Sequence, residues 1–257
     1  FYSLAEYYDI AFDFRDVPFE CDFINNIYQE INGRSPESFI EFAAGPAYHT
    51  LEFAKRKFNS AAIDLSDSMV KYGLIKANKN NTKISYFCEN MVDFNIDNQF
   101  DLAAILMDST SYFLDNDSFI DHLKCVSKHL NSGGIYVLEM SHPRDVFNVG
   151  KSTGTDWKMN RNGKKIHIKW GNAEDHFDPI TQTTHVTVVL DYEDENGRKG
   201  SITEKSLQRN FTVNEFKALV QLSGKFEIVR WFGSLDKNIP FDNDKKAWRM
   251  VPVLRLV

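Results

Sequence analysis

Short apolar runs alternating with amphipathic segments constrain this chain more than any other feature. The runs are SFIEFAA (38–44), SAAIDLS (60–66), FDLAAILMDST (100–110) and IYVLEMSHP (135–143), with the mixed run KISYFCENMVDF (83–94) among them. YHTLEFAKRKF (48–58), with Leu51, Phe53, Ala54 and Phe58 on one side, and DSMVKYGLIKANK (67–79) read as helices between the first runs. FECDFINNIYQEIN (19–32) repeats Phe19, Phe23, Ile27 and Ile31 at helical spacing and stops at Asn32-Gly33. DSFIDHLKCVSKHLNSGG (117–134) is read as a helix closed by Gly133-Gly134. Strands hydrophobic throughout are buried on both faces, so the expected fold is α/β, a doubly wound, mostly parallel sheet with helices on both sides.

After Pro143 the pattern changes. Residues 146–164 read as a polar, Gly-rich loop, and KIHIKWG, THVTVVLDYED and GSITEKSLQRNF then alternate with period two. The last two join at Asn196-Gly197, so this stretch is an antiparallel meander. A helix capped by Thr212, with Glu215 three residues on, and two strands, FEIVRWFG and WRMVPVLRLV, follow. The expected organisation is a core over 1–145, a β insertion over 146–211 and a return to the core over 212–257. One meander face carries Ile166, Ile168 and Trp170, then Val186, Val188 and Leu190. Such a face cannot stay exposed as a single layer, so it covers the site as a lid or meets a second subunit.

Composition narrows the function. The chain has 257 residues, 42% of them hydrophobic and 26% charged, and a formal charge of −6, which argues against a protein dedicated to nucleic acid. Cys21, Cys88 and Cys125 are odd in number and far apart, supporting neither a disulfide framework nor a metal site. No apolar run approaches the ~18 residues of a membrane span, and Glu6 and Asp9 interrupt any signal-like segment, so a cytoplasmic protein is expected.

In doubly wound sheets ligands bind beyond the carboxyl ends of the strands, where strand order reverses. Polar residues gather at those ends: Glu41, Asp64, Asn90, Asp108-Ser109 and His142. Asp64 lies about 20 residues past the first turn, the offset of a ribose-binding acid.

The ordered set of these segments resembles the class I S-adenosylmethionine-dependent methyltransferases, of the small-molecule type with a β-rich insertion after strand five. Glu41-Phe-Ala-Ala-Gly-Pro-Ala47 is similar to the family's (E/D)-x-G-x-G-x-G, with alanine at the first and third glycine positions. Ile63-Asp-Leu-Ser-Asp-Ser-Met69 resembles D-x-S-x-x-M, and Glu89-Asn-Met-Val-Asp-Phe94 resembles G-D-M-x-D-F with Asn90 for the aspartate. Leu130-Asn-Ser-Gly-Gly134 resembles the L-x-x-G-G turn, and Tyr8-Asp-Ile-Ala-Phe12 an N-terminal Y-D-x-x-(Y/F) element.

The resemblance implies a Rossmann-like, seven-stranded sheet and S-adenosylmethionine as cofactor, with S-adenosylhomocysteine as product. It implies that Glu41 accepts from the cofactor's ammonium, Asp64 from both ribose hydroxyls, and that Tyr8 reaches the carboxylate. Leu65 and Met69 would pack on the adenine, Asn90 would meet its amine, and Met91 would offer a backbone N–H. Ala43 and Ala47 are expected in ordinary backbone wells, with Gly45 the one position needing φ above zero. Asp108 and Ser109 would line the methyl-transfer pocket, with His142 or Asp108 as the catalytic base, His49 as a further cofactor contact, and Tyr112, Phe113, Trp157 and Trp170 as acceptor walls. The expected partner is a small-molecule acceptor methylated on O or N, with no metal, nucleic acid or membrane, in a monomer or homodimer. The competing readings are an NAD-dependent oxidoreductase, disfavoured by the missing glycines of G-x-G-x-x-G, and a cofactor-binding protein without catalysis.

Overall fold

The computed structural model describes residues 5–147 and 154–257. The order is α1 (Ala5–Ala11), α2 (Val17–Asn32), β1 (Ser38–Phe42), α3 (Tyr48–Lys55), β2 (Asn59–Asp64), α4 (Asp67–Lys79), β3 (Ser85–Cys88) and β4 (Phe100–Ile105). Then come α5 (Asn116–Lys128), β5 (Leu130–Leu138), β6 (Met140–Ser141), α6 (Pro143–Val146), β7 (Thr155–Arg161), β8 (Lys164–Trp170), β9 (Phe177–Asp178), β10 (Thr183–Glu193) and β11 (Lys199–Arg209). The chain closes with α7 (Val213–Ser223), β12 (Phe226–Phe232) and β13 (Arg249–Leu256).

The main sheet runs β12-β13-β5-β4-β1-β2-β3, with β6 beside β13. Strands β1 to β5 are parallel, while β12 and β13 are antiparallel. Strand order reverses between β1 and β4, so the switch point lies where the sequence gathers its polar residues. One core packs Phe42, Ile105, Phe119 and Tyr136, and the other packs Ile24, Phe39, Phe53 and Val253. Burial on both faces is why β4 reads as an apolar run broken only by Asp101.

Gly133-Gly134 does not cap α5, contrary to expectation. The helix ends at Lys128, and the glycines lie inside β5, in a bulge between the pairs Phe100–Leu130 and Leu102–Ile135. Gly133 has φ +72, and a Cβ on Gly134 would meet the Asn131 carbonyl oxygen at 2.8 Å. The bulge also lets Asn131 Nδ2 donate to Asp101 (3.1 Å).

The region read as a polar loop contains a strand. β7 pairs with β8 through a turn at Asn162-Gly163, both with positive φ, an Asn-Gly hairpin signal passed over in the sequence. Residues 148–153 of that stretch lie outside the described residues. The second sheet runs β11-β10-β8-β7. Its apolar face, including Ile166, Ile168, Val188 and Leu190, is buried against Ile10, Ala11 and Phe12. The face is therefore covered within one chain.

Helix α1 lies between the two sheets. Asp9, 2% exposed, is paired with Lys76 of α4 and Arg161 of β7 and accepts from the Tyr72 hydroxyl. Trp157 Nε1 donates to the Ala11 carbonyl (2.7 Å).

Candidate active site

A cavity of about 940 Å³ opens at the carboxyl ends of β1, β2, β4 and β5, roofed by the second sheet. Its floor begins with the loop after β1. Ala43, Gly45 and Ala47 have φ of 50°, 51° and 59°, so all three positions are left-handed. This corrects the expectation of ordinary wells for the alanines: two of the three left-handed positions carry alanine and only the middle one glycine. Left-handed backbone costs an L-residue roughly 1–2 kcal/mol. Ala43→Gly should recover that, less the ~0.4–1 kcal/mol of added unfolded-state entropy. The expected result is a small rise in denaturant midpoint, and a fall would mean that the Ala43 methyl contributes packing.

The loop is tied to β2. Gly45 N–H donates to Asp64 Oδ2 (2.7 Å) and Ser66 N–H to Asp64 Oδ1 (2.8 Å). Each oxygen keeps a second lone pair, so Asp64, which lines the cavity, can still accept from a ribose diol. Burial raises the Asp64 pKa, and the backbone donors oppose that rise. Leu65, 75% exposed, lines the cavity beside Asn90 and Met91. Tyr8 lines it opposite Gly45, its ring 3.8 Å from where a Cβ on Gly45 would sit. Met69 is fully buried in α4 and is not among the lining residues, so the proposed adenine contact is replaced by helix core.

Glu41 lines a small second cavity, beside the 43–47 loop and next to the main one. Its side chain is buried, and Oε2 accepts from Thr50 N–H (2.9 Å) and Thr50 Oγ1 (2.6 Å), while Oε1 faces His49 Nδ1 (3.1 Å). These bonds turn the carboxylate into the start of α3 and away from the main cavity. His49 lines the same small cavity, and its Nε2 meets Glu20 (2.7 Å), so the imidazole is bracketed by two carboxylates. Burial lowers the His49 pKa, but the bonds to Glu20 and Glu41 outweigh it and raise it to about 9. The stabilisation is therefore complete below the unfolded value of 6.5 and is lost as pH rises through about 9. Urea titrations should show a stability decline between those pH values that His49→Gln abolishes; an unchanged decline would assign it to other groups.

The ionic chain continues. Glu20 pairs with Arg15 (2.7 Å), Arg15 holds Glu139 through both terminal nitrogens (3.0 and 2.9 Å), and Arg249 Nε approaches Glu139 at 3.2 Å. Burial opposes ionisation of Glu139, yet Arg15 and Arg249 hold its pKa down at about 2. Glu139 Oε2 accepts from Met107 N–H (2.9 Å), and the Glu139 carbonyl accepts from Asp108 N–H (3.1 Å). Met107 and Asp108 are thereby held left-handed, at φ 54° and 61°. Arg15 and Arg249 line the cavity, and neither was singled out in the sequence. No spacing marks them, because Arg15 lies between helices and Arg249 opens the last strand.

Asp108 and Ser109 line the cavity as expected sites of the acceptor chemistry. Asp108 accepts from Ser141 N–H (2.7 Å) and from the Ser141 hydroxyl, and burial raises its pKa. His142 also lines the cavity, but its ring is occupied. Nδ1 accepts from Arg144 N–H (3.1 Å), which requires Nε2 to carry the proton it donates to the Asp242 carbonyl (3.0 Å). With both ring nitrogens engaged, His142 caps α6 and holds the 242–247 loop. Tyr112, Phe113, Trp157 and Trp170 all line the cavity, joined by Phe177 and Trp248. Among the described residues no cluster of His, Cys, Asp and Glu is arranged to hold a metal, and no helix is long and apolar enough to cross a membrane.

This sheet order, with an acid after β2 and a tight loop after β1, is the Rossmann-like fold that S-adenosylmethionine-dependent methyltransferases of known structure share. Residues 39–134 match the family described as "Methyltransferase domain". A Geobacillus sp. (strain WCH70) protein, provisionally named a methyltransferase, is 21% identical over 140 residues. The match covers 54% of this chain and spans only 56% of that relative. Among solved structures, an S-adenosylmethionine-dependent methyltransferase from Clostridium acetobutylicum superposes with a TM-score of 0.78 at 20% identity, over 95% of this chain and 93% of that one. CalS10, an amino pentose methyltransferase from Micromonospora echinaspora solved with S-adenosylmethionine bound, gives 0.74 at 17% identity, over 97% and 96%. At these identities the structures establish the shared fold.

Proposed function

We propose that this chain is a cytoplasmic S-adenosylmethionine-dependent methyltransferase acting on the amine of a small, hydroxylated acceptor. One observation carries the reading. The cavity wall beyond Asp64 combines carboxylates (Asp108, Asp145, Asp175), aromatic rings (Trp157, Trp170, Phe177) and the uncharged polar trio Thr184, Gln208 and Asn210. Its two guanidiniums, Arg15 and Arg249, are paired with Glu139. A cationic or aminated ligand suits such a wall, and a sugar-like ring suits the rings and amides. The amino pentose acceptor in the name of CalS10 agrees with it.

The residues present fit the cofactor: Asp64 retains lone pairs, Leu65 exposes its side chain, and the Met91 N–H donates to no protein acceptor among the described residues. When bound, S-adenosylmethionine supplies an electrophilic methyl group on a leaving group that is already activated. The chain's task is alignment and exclusion of water. Asp64 would fix the ribose, Tyr8 and the 43–47 loop would hold the amino-acid end, and the second sheet would roof the acceptor. Asp108, with its raised pKa, would take the proton released from the acceptor nitrogen.

S-adenosylhomocysteine at a hundredfold excess over Kd should stabilise the protein by about 2.7 kcal/mol, with NAD giving no shift. S-adenosylhomocysteine release should be seen with amino sugars and not with the parent hydroxy sugars. The reverse preference would replace N- with O-methylation, and a shift with NAD alone would remove the reading.

A further inference from the structure

The reactions described so far make no use of His122, although it is a fully buried polar side chain next to the site. It projects from α5 between the Phe42 and Phe113 rings, whose centroids lie 5.2 and 4.8 Å away. Its Nδ1 lies 2.6 Å from the carbonyl oxygen of Met91, and its Nε2 lies 2.7 Å from the Tyr136 hydroxyl. A carbonyl can only accept, so Nδ1 carries the proton and Nε2 accepts from Tyr136. Burial lowers the imidazole pKa to about 4, so this neutral tautomer persists across the working pH range.

The Met91 carbonyl belongs to the turn after β3, the part of the cavity that would face the adenine. Two bonds besides that of His122 shape the turn: Val92 N–H donates to Asn90 Oδ1 (3.0 Å), and Asp93 N–H to the Asn90 carbonyl (3.3 Å). Both are internal to the turn and exposed to solvent on one side. The His122 bond differs, because it ties the turn to α5 and, through Tyr136, to β5.

We propose that His122 is the positioning residue for base selectivity: by holding the Met91 carbonyl toward the core, it fixes the turn whose preceding peptide carries the Met91 N–H, and with it the Asn90 amide, against the Watson–Crick edge of adenine. The proposal rests on the methyltransferase reading above. Adenine presents an acceptor at N1 and a donor at its amine. Hypoxanthine presents a donor at N1 and an acceptor at O6. A backbone N–H fixed in place pairs with the first and leaves two opposed donors with the second, and a turn free to shift would discriminate less.

The test compares binding of S-adenosylhomocysteine and S-inosylhomocysteine by calorimetry. His122→Phe keeps the ring volume and removes both polar contacts; it also orphans the Tyr136 hydroxyl and should lower Tm. The double variant His122→Phe/Tyr136→Phe removes that orphan and should recover most of the loss in Tm. In both, the wild-type preference for the adenine compound should fall about tenfold. A merely structural role would weaken both ligands equally and leave the ratio unchanged, and an unchanged ratio in the double variant overturns the proposal. If the wild-type protein binds no S-adenosylhomocysteine, the methyltransferase reading and the proposal fall together; binding with an unchanged ratio overturns the proposal alone.

Discussion

Replacing Asp64 by alanine should weaken S-adenosylhomocysteine binding at least a hundredfold. Two charge-assisted hydrogen bonds to a ribose diol contribute on the order of 1.5–3 kcal/mol each. The same carboxylate also accepts from Gly45 N–H and Ser66 N–H, so the variant loses the cross-link between the 43–47 loop and α4. Folding stability should therefore fall as well, by roughly 1–3 kcal/mol for the orphaned donors. Asp64→Asn separates the effects, since its one oxygen can keep a single backbone bond. Titration calorimetry beside urea denaturation reads both quantities. A folded alanine variant that binds S-adenosylhomocysteine as tightly as wild type would take Asp64 out of the ligand site.

Glu139→Ala should be the most destabilising single change near the site, at about 3–5 kcal/mol, the range for removing one partner of a buried ion pair. Arg15 would keep only Glu20, and Arg249 would keep no carboxylate partner at that end of the network. Met107 N–H would also lose its acceptor, leaving the left-handed Met107 and Asp108 held on that side only by the Glu139 carbonyl. Glu139→Gln, which can still accept from Met107, should cost less. Chemical denaturation of the two variants decides the matter: losses under ~1 kcal/mol in both would mean that water takes over the guanidiniums.

The main sheet was legible in the sequence because strands buried on both faces leave nearly continuous apolar runs, as in Leu102–Ile105 of β4, and such runs have few alternative folds. Helix ends were legible where a cap carries side-chain chemistry. Thr212 and Glu215 form the reciprocal box that their spacing announced, and Gly33 sits left-handed after α2. Gly133-Gly134 misled because a glycine pair serves a helix end and a β-bulge equally well, and only the register with β4 separates the two. Among site residues, Asp64, Leu65, Asn90 and Met91 stand on the cavity, in line with what strand ends dictate. Met69 turned inward for a reason invisible to spacing, since α4 carries it on its buried side, and spacing did not show that Thr50 and His49 engage the Glu41 carboxylate. The Arg15–Glu139–Arg249 cluster joins residues more than a hundred positions apart, and local pattern carries no trace of it.

The place of α1 bears on how such proteins can diversify. Phe12 has its ring 5.5 Å from that of Trp157 and 4.5 Å from that of Tyr8, one helical turn earlier, which lines the cavity beside Gly45. A helix whose one face meets both the 43–47 loop and the second sheet cannot be inherited by halves. Exchanging only the second sheet with that of a relative would set foreign side chains against Ile10 and Phe12 and would strand Asp9 with one cation fewer. The exchangeable module is thus discontinuous along the chain, consisting of the N-terminal segment through Phe14 together with strands β7 to β11. Recombination within one contiguous stretch would break it, so new acceptor preferences in this architecture should arise by point substitution along the cavity wall rather than by swapping the insertion.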